Sequence, residues 1–216
     1  AGECVDAGGG VPIIGYGARH VHPEVVGVMD YAAVIGGCAS SSSVVGQQLH
    51  GLIPSGTMPH SLVLLMGDTV RSMMAFDKHM PPEVPRVALV DTFKDETEEA
   101  MDVAKALRER LRGIRLDTPK ERGGVTPDLV RETRARLDQG GYNHVEIFVS
   151  GGITPDRIRG FVETDAPVNV FAVGYYIASA SPISFTADIK EIDGRNVAKR
   201  GRIPGLAVNP RLTRVL

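Results

Sequence analysis

The sequence predicts an α/β protein, an irregular or incomplete (β/α) barrel of about six or seven parallel strands. Three observations carry this expectation. Short apolar runs end in an acid or a glycine turn: Arg86-Val-Ala-Leu-Val-Asp91-Thr92, Gly113-Ile-Arg115-Leu-Asp117-Thr118, and His144-Val-Glu-Ile-Phe-Val-Ser150 running into Gly151-Gly152. Helical patterns follow all three, and strand–helix alternation builds parallel sheets. Thr126-Pro127-Asp128 and Thr154-Pro155-Asp156 are twin helix starts about 28 residues apart, the pitch of a repeated βα unit. Polar or glycine endings on several strands, without one dominant switch point, favour a barrel over an open doubly wound sheet.

The elements read in order as follows. Residues 12–17 form a short buried strand leaving through glycine, and residues 22–30 a short helix. Residues 32–35 are expected as a second strand, closed by Gly36-Gly37. Ser40 to Ser43 open a helical stretch toward His50, since a serine oxygen satisfies free N–H groups. Residues 56–60 make a turn before a helix at 62–66, and residues 69–79 continue helical. Pro81-Pro82-Glu83-Val84-Pro85 is a rigid connector. Asp95, Glu96, Glu98 and Glu99 crowd the start of the next helix, where its dipole favours negative charge. Ala100, Val103, Ala104, Leu107 and Leu111 give that helix one apolar face. Residues 168–173 form a further strand ending in Gly174-Tyr175. Residues 185–192 are expected as a last strand, with Asp193-Gly194 as a hairpin turn. The expected division is a barrel domain over residues 1–189 and a basic extension over 190–216.

Composition narrows the function classes. The 216 residues carry a formal net charge of −2, so no global pull toward nucleic acid or acidic membrane exists. The extension holds Lys190, Arg195, Lys199, Arg200, Arg202, Arg211 and Arg214 against Glu191 and Asp193, but no aromatic residue follows Phe185 to stack on bases. A solvated extension or docking surface is the expectation there. Cys4 and Cys38 make no disulfide framework, so a reduced, cytoplasmic setting is expected. No apolar run is longer than residues 62–66, far below the ~20 residues a membrane span needs. The chain opens at Ala1 rather than Met, and a piece of a longer protein is expected.

Several residues could carry chemistry. The N–H groups of Ser150-Gly151-Gly152, ahead of a helix start, can face an anion. Gly174 and Tyr175 on the next strand end add to it, because barrel phosphate sites combine adjacent late loops. Asp91 lies well before the following helix, so a capping role does not account for it. Arg115 and Asp117, two apart on one strand, share a face. They form either an internal ion pair or a site where guanidinium takes a phosphate and carboxylate faces ribose or a metal. Arg19, just past a strand-ending glycine, could hold a carboxylate or a phosphate. Thr57 belongs to a Gly-Thr turn that presents N–H groups, and His60 just after it reads equally as a helix cap or an anion contact. His20 and His22 lack further ligands at metal spacing, so no protein-held metal is expected. Cys38 reads as a small buried residue rather than a nucleophile.

Taken in order, Gly17-Ala-Arg19, Gly36-Gly37, Gly56-Thr-Met-Pro-His60, Leu89-Val-Asp91-Thr92, Arg115-Leu-Asp117-Thr118, Ser150-Gly-Gly152 and Val173-Gly174 resemble the nicotinate phosphoribosyltransferases. The likeness is to the archaeal and bacterial branch with the quinolinate phosphoribosyltransferase (type II) fold, over roughly residues 11–205. The resemblance implies transfer of phosphoribose from phosphoribosyl pyrophosphate to nicotinate, with Mg2+ carried by the pyrophosphate. It implies that Arg19 contacts nicotinate or phosphate, and that Asp91 and Asp117 lie near the reacting centre. Arg115 would help bind phosphate, and Ser150, Gly151, Gly152 and Gly174 would form the 5′-phosphate cradle. Ser40 to Ser43 are candidates for the pyridine pocket. Members that couple the reaction to ATP phosphorylate the histidine matching His60, but Met58 replaces their usual serine, which argues against ATP here. The family also implies a preceding mixed domain, lacking in this chain, that closes the site, and a homo-oligomer. Quinolinate phosphoribosyl transfer, and a non-catalytic binding or assembly module, are the competing readings.

Overall fold

The structure, a computed structural model, describes residues 1–210. The chain divides into two units, Ala1–Ala180 and Ser181–Leu216. In the first, six strands form one parallel sheet: β1 (Ile13–Gly15), β2 (Ser40–Ser41), β3 (Val87–Leu89), β4 (Gly113–Leu116), β5 (Glu146–Val149) and β6 (Val170–Val173). Their spatial order is β2-β1-β6-β5-β4-β3. The first strand therefore pairs with the last, Ile14 opposite Ala172, as in a barrel. The ring stays open between β2 and β3, where the chain runs through three helices instead of a strand. The expected incomplete barrel is observed; no closed one forms.

Burial explains the strands. All four residues of β4 are buried, as are Ile13 to Gly15 of β1, and Phe171, Ala172 and Val173 of β6. Near-continuous burial fits parallel strands covered on both faces. The covering helices are α1 (Gly2–Ala7), α2 (Val26–Ile35), α3 (Val44–His50), α4 (His60–Met66), α5 (Thr69–His79), α6 (Glu96–Leu107), α7 (Pro127–Gln139), α8 (Pro155–Glu163) and α9 (Tyr175–Ala178). Helix α6 packs between α5 and α7, α2 on α3, and α1 on α8. Its inward face of Ala100, Val103, Ala104 and Leu107 is wholly buried, as its periodicity requires.

The helix starts follow their caps. Asp95 accepts from Thr97 N–H at 3.0 Å, Thr126 from Leu129 N–H at 3.2 Å and Thr154 from Arg157 N–H at 3.4 Å. The connector before β3 is held by Arg86, which pairs with Asp77 at 2.9 Å and donates to the carbonyls of Met80 at 2.9 Å and Pro81 at 2.7 Å. Cys4 and Cys38 are buried free thiols. Burial pushes Cys38 up to about 11, so it stays protonated and unreactive.

Two expectations are corrected. Residues 32–35 are the last turn of α2, not a strand, and Gly36 caps that helix. The second strand comes later, at Ser40–Ser41, and only Ser43 serves as the cap of α3, accepting from Gly46 N–H at 2.9 Å. Residues 185–192 do not join the sheet. In the second unit, β7 (Glu191–Ile192) and β8 (Arg195–Asn196) form an antiparallel hairpin across Asp193-Gly194. The turn chemistry was readable, but the strand is two residues long. Asp188 there pairs with Lys199 at 3.3 Å and Arg202 at 3.1 Å. Arg211 and Arg214 lie outside the described residues. Among the described residues no helix is long and apolar enough to cross a membrane.

Phe171, fully buried on β6, meets Phe161 of α8 with ring centroids 5.6 Å apart. Phe171→Ala leaves a cavity at this helix–sheet contact and should lower unfolding free energy by about 3–5 kcal/mol, read from urea denaturation.

Candidate active site

The carboxyl ends of the parallel strands gather the polar residues, as in any α/β barrel. Asp91 and Asp117 lie just past β3 and β4, and Ser150-Gly151-Gly152 just past β5. Three neighbouring strands thus deliver them to one rim. Asp117 Oδ1 accepts from Ser150 Oγ at 2.8 Å, and its Oδ2 pairs with Arg115 Nη1 at 3.1 Å. A Cβ placed on Gly151 would stand 3.1 Å from Asp117 Oδ1. The diglycine turn therefore runs so close to this carboxylate that a side chain at position 151 would crowd it. Gly151 and Gly152 have φ of 83° and 62°, left-handed values that favour glycine. No N–H of Gly151, Gly152 or Ile153 is hydrogen-bonded among the described residues. Consecutive free amides in such a turn make an anion-binding nest.

Arg115 is buried, at 7% exposure. Besides Asp117 its guanidinium donates to Ser150 Oγ at 2.9 Å and to the Met58 carbonyl at 3.0 Å. It is both the internal ion pair and the tie between β4, β5 and the segment before α4. Ser150 is likewise buried, its hydroxyl spent on Asp117 and the Leu116 carbonyl. Its side chain braces the turn from beneath.

On the β3 side, His60 at the start of α4 meets Asp91, Nε2 to Oδ1 at 3.0 Å. The Asp91 side chain is 2% exposed and that of His60 40%. Burial raises the Asp91 pKa; the His60 contact opposes this, Asp117 adds to it, and Arg115 opposes it. Burial therefore outweighs the histidine, and the two acids sense each other across the rim. Thr57 is exposed and bonds only weakly, to the Met58 carbonyl at 3.4 Å.

Gly174, after β6, sits against β1: a Cβ there would lie 2.8 Å from the Tyr16 carbonyl and 3.2 Å from His20 Nε2. Exposed Tyr175 meets the His20 ring edge-on at 5.6 Å. Arg19 donates through Nε to His20 Nε2 at 3.3 Å. These residues form a second group at the β1–β6 end of the rim, and none of them contacts Asp91 or Asp117. Tyr16 bridges the two groups. Its hydroxyl donates to the Gly56 carbonyl at 3.3 Å, and its pKa is raised by burial and lowered by Ser55 and by Arg115.

Two positioning residues escape a sequence reading. Glu96 and Glu99, on one face of α6, are both 2% exposed. Glu96 accepts from Thr118 Oγ1 at 2.8 Å, beside Asp117. Glu99 accepts from Thr69 Oγ1 at 2.9 Å and from the N–H groups of Thr92, Phe93 and Lys94 at 3.4, 2.6 and 2.9 Å, beside Asp91. One helix thus anchors the residue following each aspartate. Acids in a first helical turn read as dipole partners; only the fold shows that two of them turn inward.

A cleft of about 590 Å³ opens beside the diglycine turn, lined by Lys120, Gly124, Thr126, Gly152, Thr154 and Arg157. It meets the cluster at Gly152 alone. Asp91, Asp117 and His60 do not line it, so the chemistry is placed by the carboxylates and not by this cleft.

Residues 2–188 match the family model described as quinolinate phosphoribosyl transferase, C-terminal domain. The chain belongs to that family. A nicotinate phosphoribosyltransferase of Mycobacterium tuberculosis is 31% identical over 183 residues, covering 83% of this chain and 38% of that protein. The crystal structure of nicotinate-nucleotide pyrophosphorylase from Pyrococcus furiosus superposes with a TM-score of 0.85 at 42% identity, over 95% of this chain and 52% of that one. The structure of nicotinate phosphoribosyltransferase from Porphyromonas gingivalis, at 19% identity and a TM-score of 0.66, over 82% of this chain and 48% of that one, shares the fold. This member of the quinolinate phosphoribosyl transferase C-terminal family spans about two fifths of the length of the curated relative it matches.

Two outcomes follow from the geometry. A carboxylate with a raised native pKa weighs against folding above that pKa and not below its ordinary value, because the folded state then holds the proton more tightly. Asp91→Asn should therefore gain more stability over the parent at pH 7 than at pH 3, in paired urea titrations. Glu99→Ala strands the buried Thr69 hydroxyl and removes the acceptor of the Phe93 and Lys94 N–H groups, and should cost about 1–3 kcal/mol, measured the same way.

Proposed function

We propose that the chain is the barrel portion of an enzyme of NAD biosynthesis, of the archaeal and bacterial nicotinate phosphoribosyltransferase branch. It joins nicotinate to the ribose of phosphoribosyl pyrophosphate, giving nicotinate mononucleotide and pyrophosphate. One observation supports this above the others: two carboxylates and a left-handed diglycine turn with free amides share one rim. The named function of the Mycobacterium tuberculosis relative supports the choice of nicotinate.

In this reading the C1–oxygen bond of the ribose breaks and its electron pair leaves with pyrophosphate. The ring nitrogen of nicotinate then supplies the pair for the new C1–N bond. The Asp117 carboxylate faces the positive charge developing at C1, which a preorganised charge in a water-poor site stabilises well. Arg115 and Ser150 hold that carboxylate in one orientation. Arg115 acts on the phosphates through this arrangement, its Nη1 and Nη2 donating to Ser150, Asp117 and the Met58 carbonyl. The free amides of Gly151 to Ile153, with Gly174 from the next strand, hold the 5′-phosphate. Arg19 and Tyr175 stand at the far end of the rim, where a pyridine carboxylate needs a cation. His60 partly offsets the burial of Asp91, and the reaction runs without ATP. Positioning dominates, since little covalent work falls on the protein.

Mg2+ keeps much of its coordination for substrate phosphates, so in this reading it would arrive on the pyrophosphate, with Asp91 and Asp117 facing it from the rim. Bound there, it would neutralise charge on the departing pyrophosphate.

Quinolinate is the second reading, because the matching family model carries that name. Parallel assays of the full-length protein with nicotinate and with quinolinate, each with phosphoribosyl pyrophosphate and Mg2+, separate the two. Turnover of neither, with phosphoribosyl pyrophosphate still bound, would leave a binding module. Asp117→Asn should lower kcat by about 100-fold or more with the fold intact by circular dichroism; unchanged turnover would remove Asp117 from the chemistry.

A further inference from the structure

Arg157 is a cation in an unfavourable place. It lies in the first turn of α8, where the helix dipole disfavours positive charge. Burial lowers its pKa, and it has no carboxylate partner among the described residues, whereas Arg159 two positions on pairs with Asp156. What it does make is three hydrogen bonds to main-chain carbonyls. Nη1 donates to Gly151 at 2.7 Å and to Gly152 at 3.3 Å, and Nη2 donates to Val125 at 2.7 Å.

Those carbonyls decide where the turn's amides point. Across a trans peptide the C=O and the next N–H face opposite ways. A guanidinium that draws the carbonyls of Gly151 and Gly152 to one side therefore sends the N–H groups of Gly152 and Ile153 to the other. Both glycines sit at left-handed φ, and glycine visits other conformations at little cost. Nothing in the diglycine itself fixes the cradle.

We infer that Arg157 is a positioning residue that locks two successive peptides of the diglycine turn, so that the amides of Gly152 and Ile153 stand ready for the substrate's phosphate. The planar fork is what the task needs: it spans two carbonyls at once and anchors to a third on the Val125 loop, which a lysine cannot do. Arg157 does not touch phosphate; it acts through the backbone. The inference rests on the reading of this turn as the 5′-phosphate cradle.

The test is titration of the 216-residue chain with inorganic phosphate, followed by 31P NMR, with each variant shown to be folded by circular dichroism. Arg157→Met should weaken binding at least tenfold and Arg157→Lys by less. Arg159→Met, which removes the same charge two residues away, should change it by less than twofold. In the full-length enzyme Arg157→Met should raise KM for phosphoribosyl pyrophosphate at least tenfold while kcat moves less than threefold. Arg157→Met within twofold of the parent, or Arg159→Met equally damaging, overturns the inference. Gly152→Val serves as the reference. If it abolishes binding while Arg157→Met does not, only the role of Arg157 fails. If it leaves binding intact, the cradle reading falls and this inference with it.

Discussion

The pair of buried Arg115 and half-buried Asp117 governs the candidate site. A guanidinium with 7% exposure cannot stand without acceptors, and breaking a buried pair leaves a charge whose desolvation is uncompensated. Every acceptor it finds belongs to a different part of the rim: the carboxylate on its own strand end, the serine closing β5 and the carbonyl of Met58 before α4. The requirement to satisfy one cation thus sets the relative placement of three segments. The aspartate oriented by this knot is the one that the diglycine turn runs beside, so the acid and the anion nest are built as one object.

A second tier surrounds that knot. Glu96 and Glu99 reach from α6 to the residues after Asp117 and Asp91, and Arg157 reaches from α8 to the turn after β5. All three point inward from helix first turns onto the main chain or a threonine of a strand-end loop. The helices therefore do more than cover the sheet: their starting residues hold the loops whose side chains and amides face the substrate. Such bracing limits loop motion where small displacements are costly to catalysis.

Much of this could be read from sequence, and the failures have physical causes. Strand ends at Asp91, Asp117 and Ser150 were visible because each follows an apolar run and precedes a capped helix. Residues 32–35 misled because Ala-Ala-Val-Ile, followed by two glycines, has strand composition; the turn of helix before it, Val26 to Tyr31, carries no polar face to betray its period. The true second strand is two serines, paired with β1 at Ile14 and Gly15, and has no compositional signature at all. The facing of Arg115 and Asp117 was readable from the period of two. The inward turn of Glu96 and Glu99 was not, because acids near a helix start are ordinary on an exposed face. Arg19 was placed by motif alone, and its nearest bonded neighbour proves to be His20 rather than either acid.

The seam between β2 and β3 carries a consequence for how the molecule is made. Because the break in the ring falls there, and not between β6 and β1, β1 takes β6 as its neighbour, residue 14 beside residue 172. β1 must wait for β6, much further along the chain, before that pairing can form. Its other neighbour, β2, is too short to shelter it. Non-local pairing of this kind slows folding and leaves nascent apolar segments uncovered during translation. The β3–β6 block, whose neighbours follow one another in the chain, is the natural nucleus onto which the early strands dock.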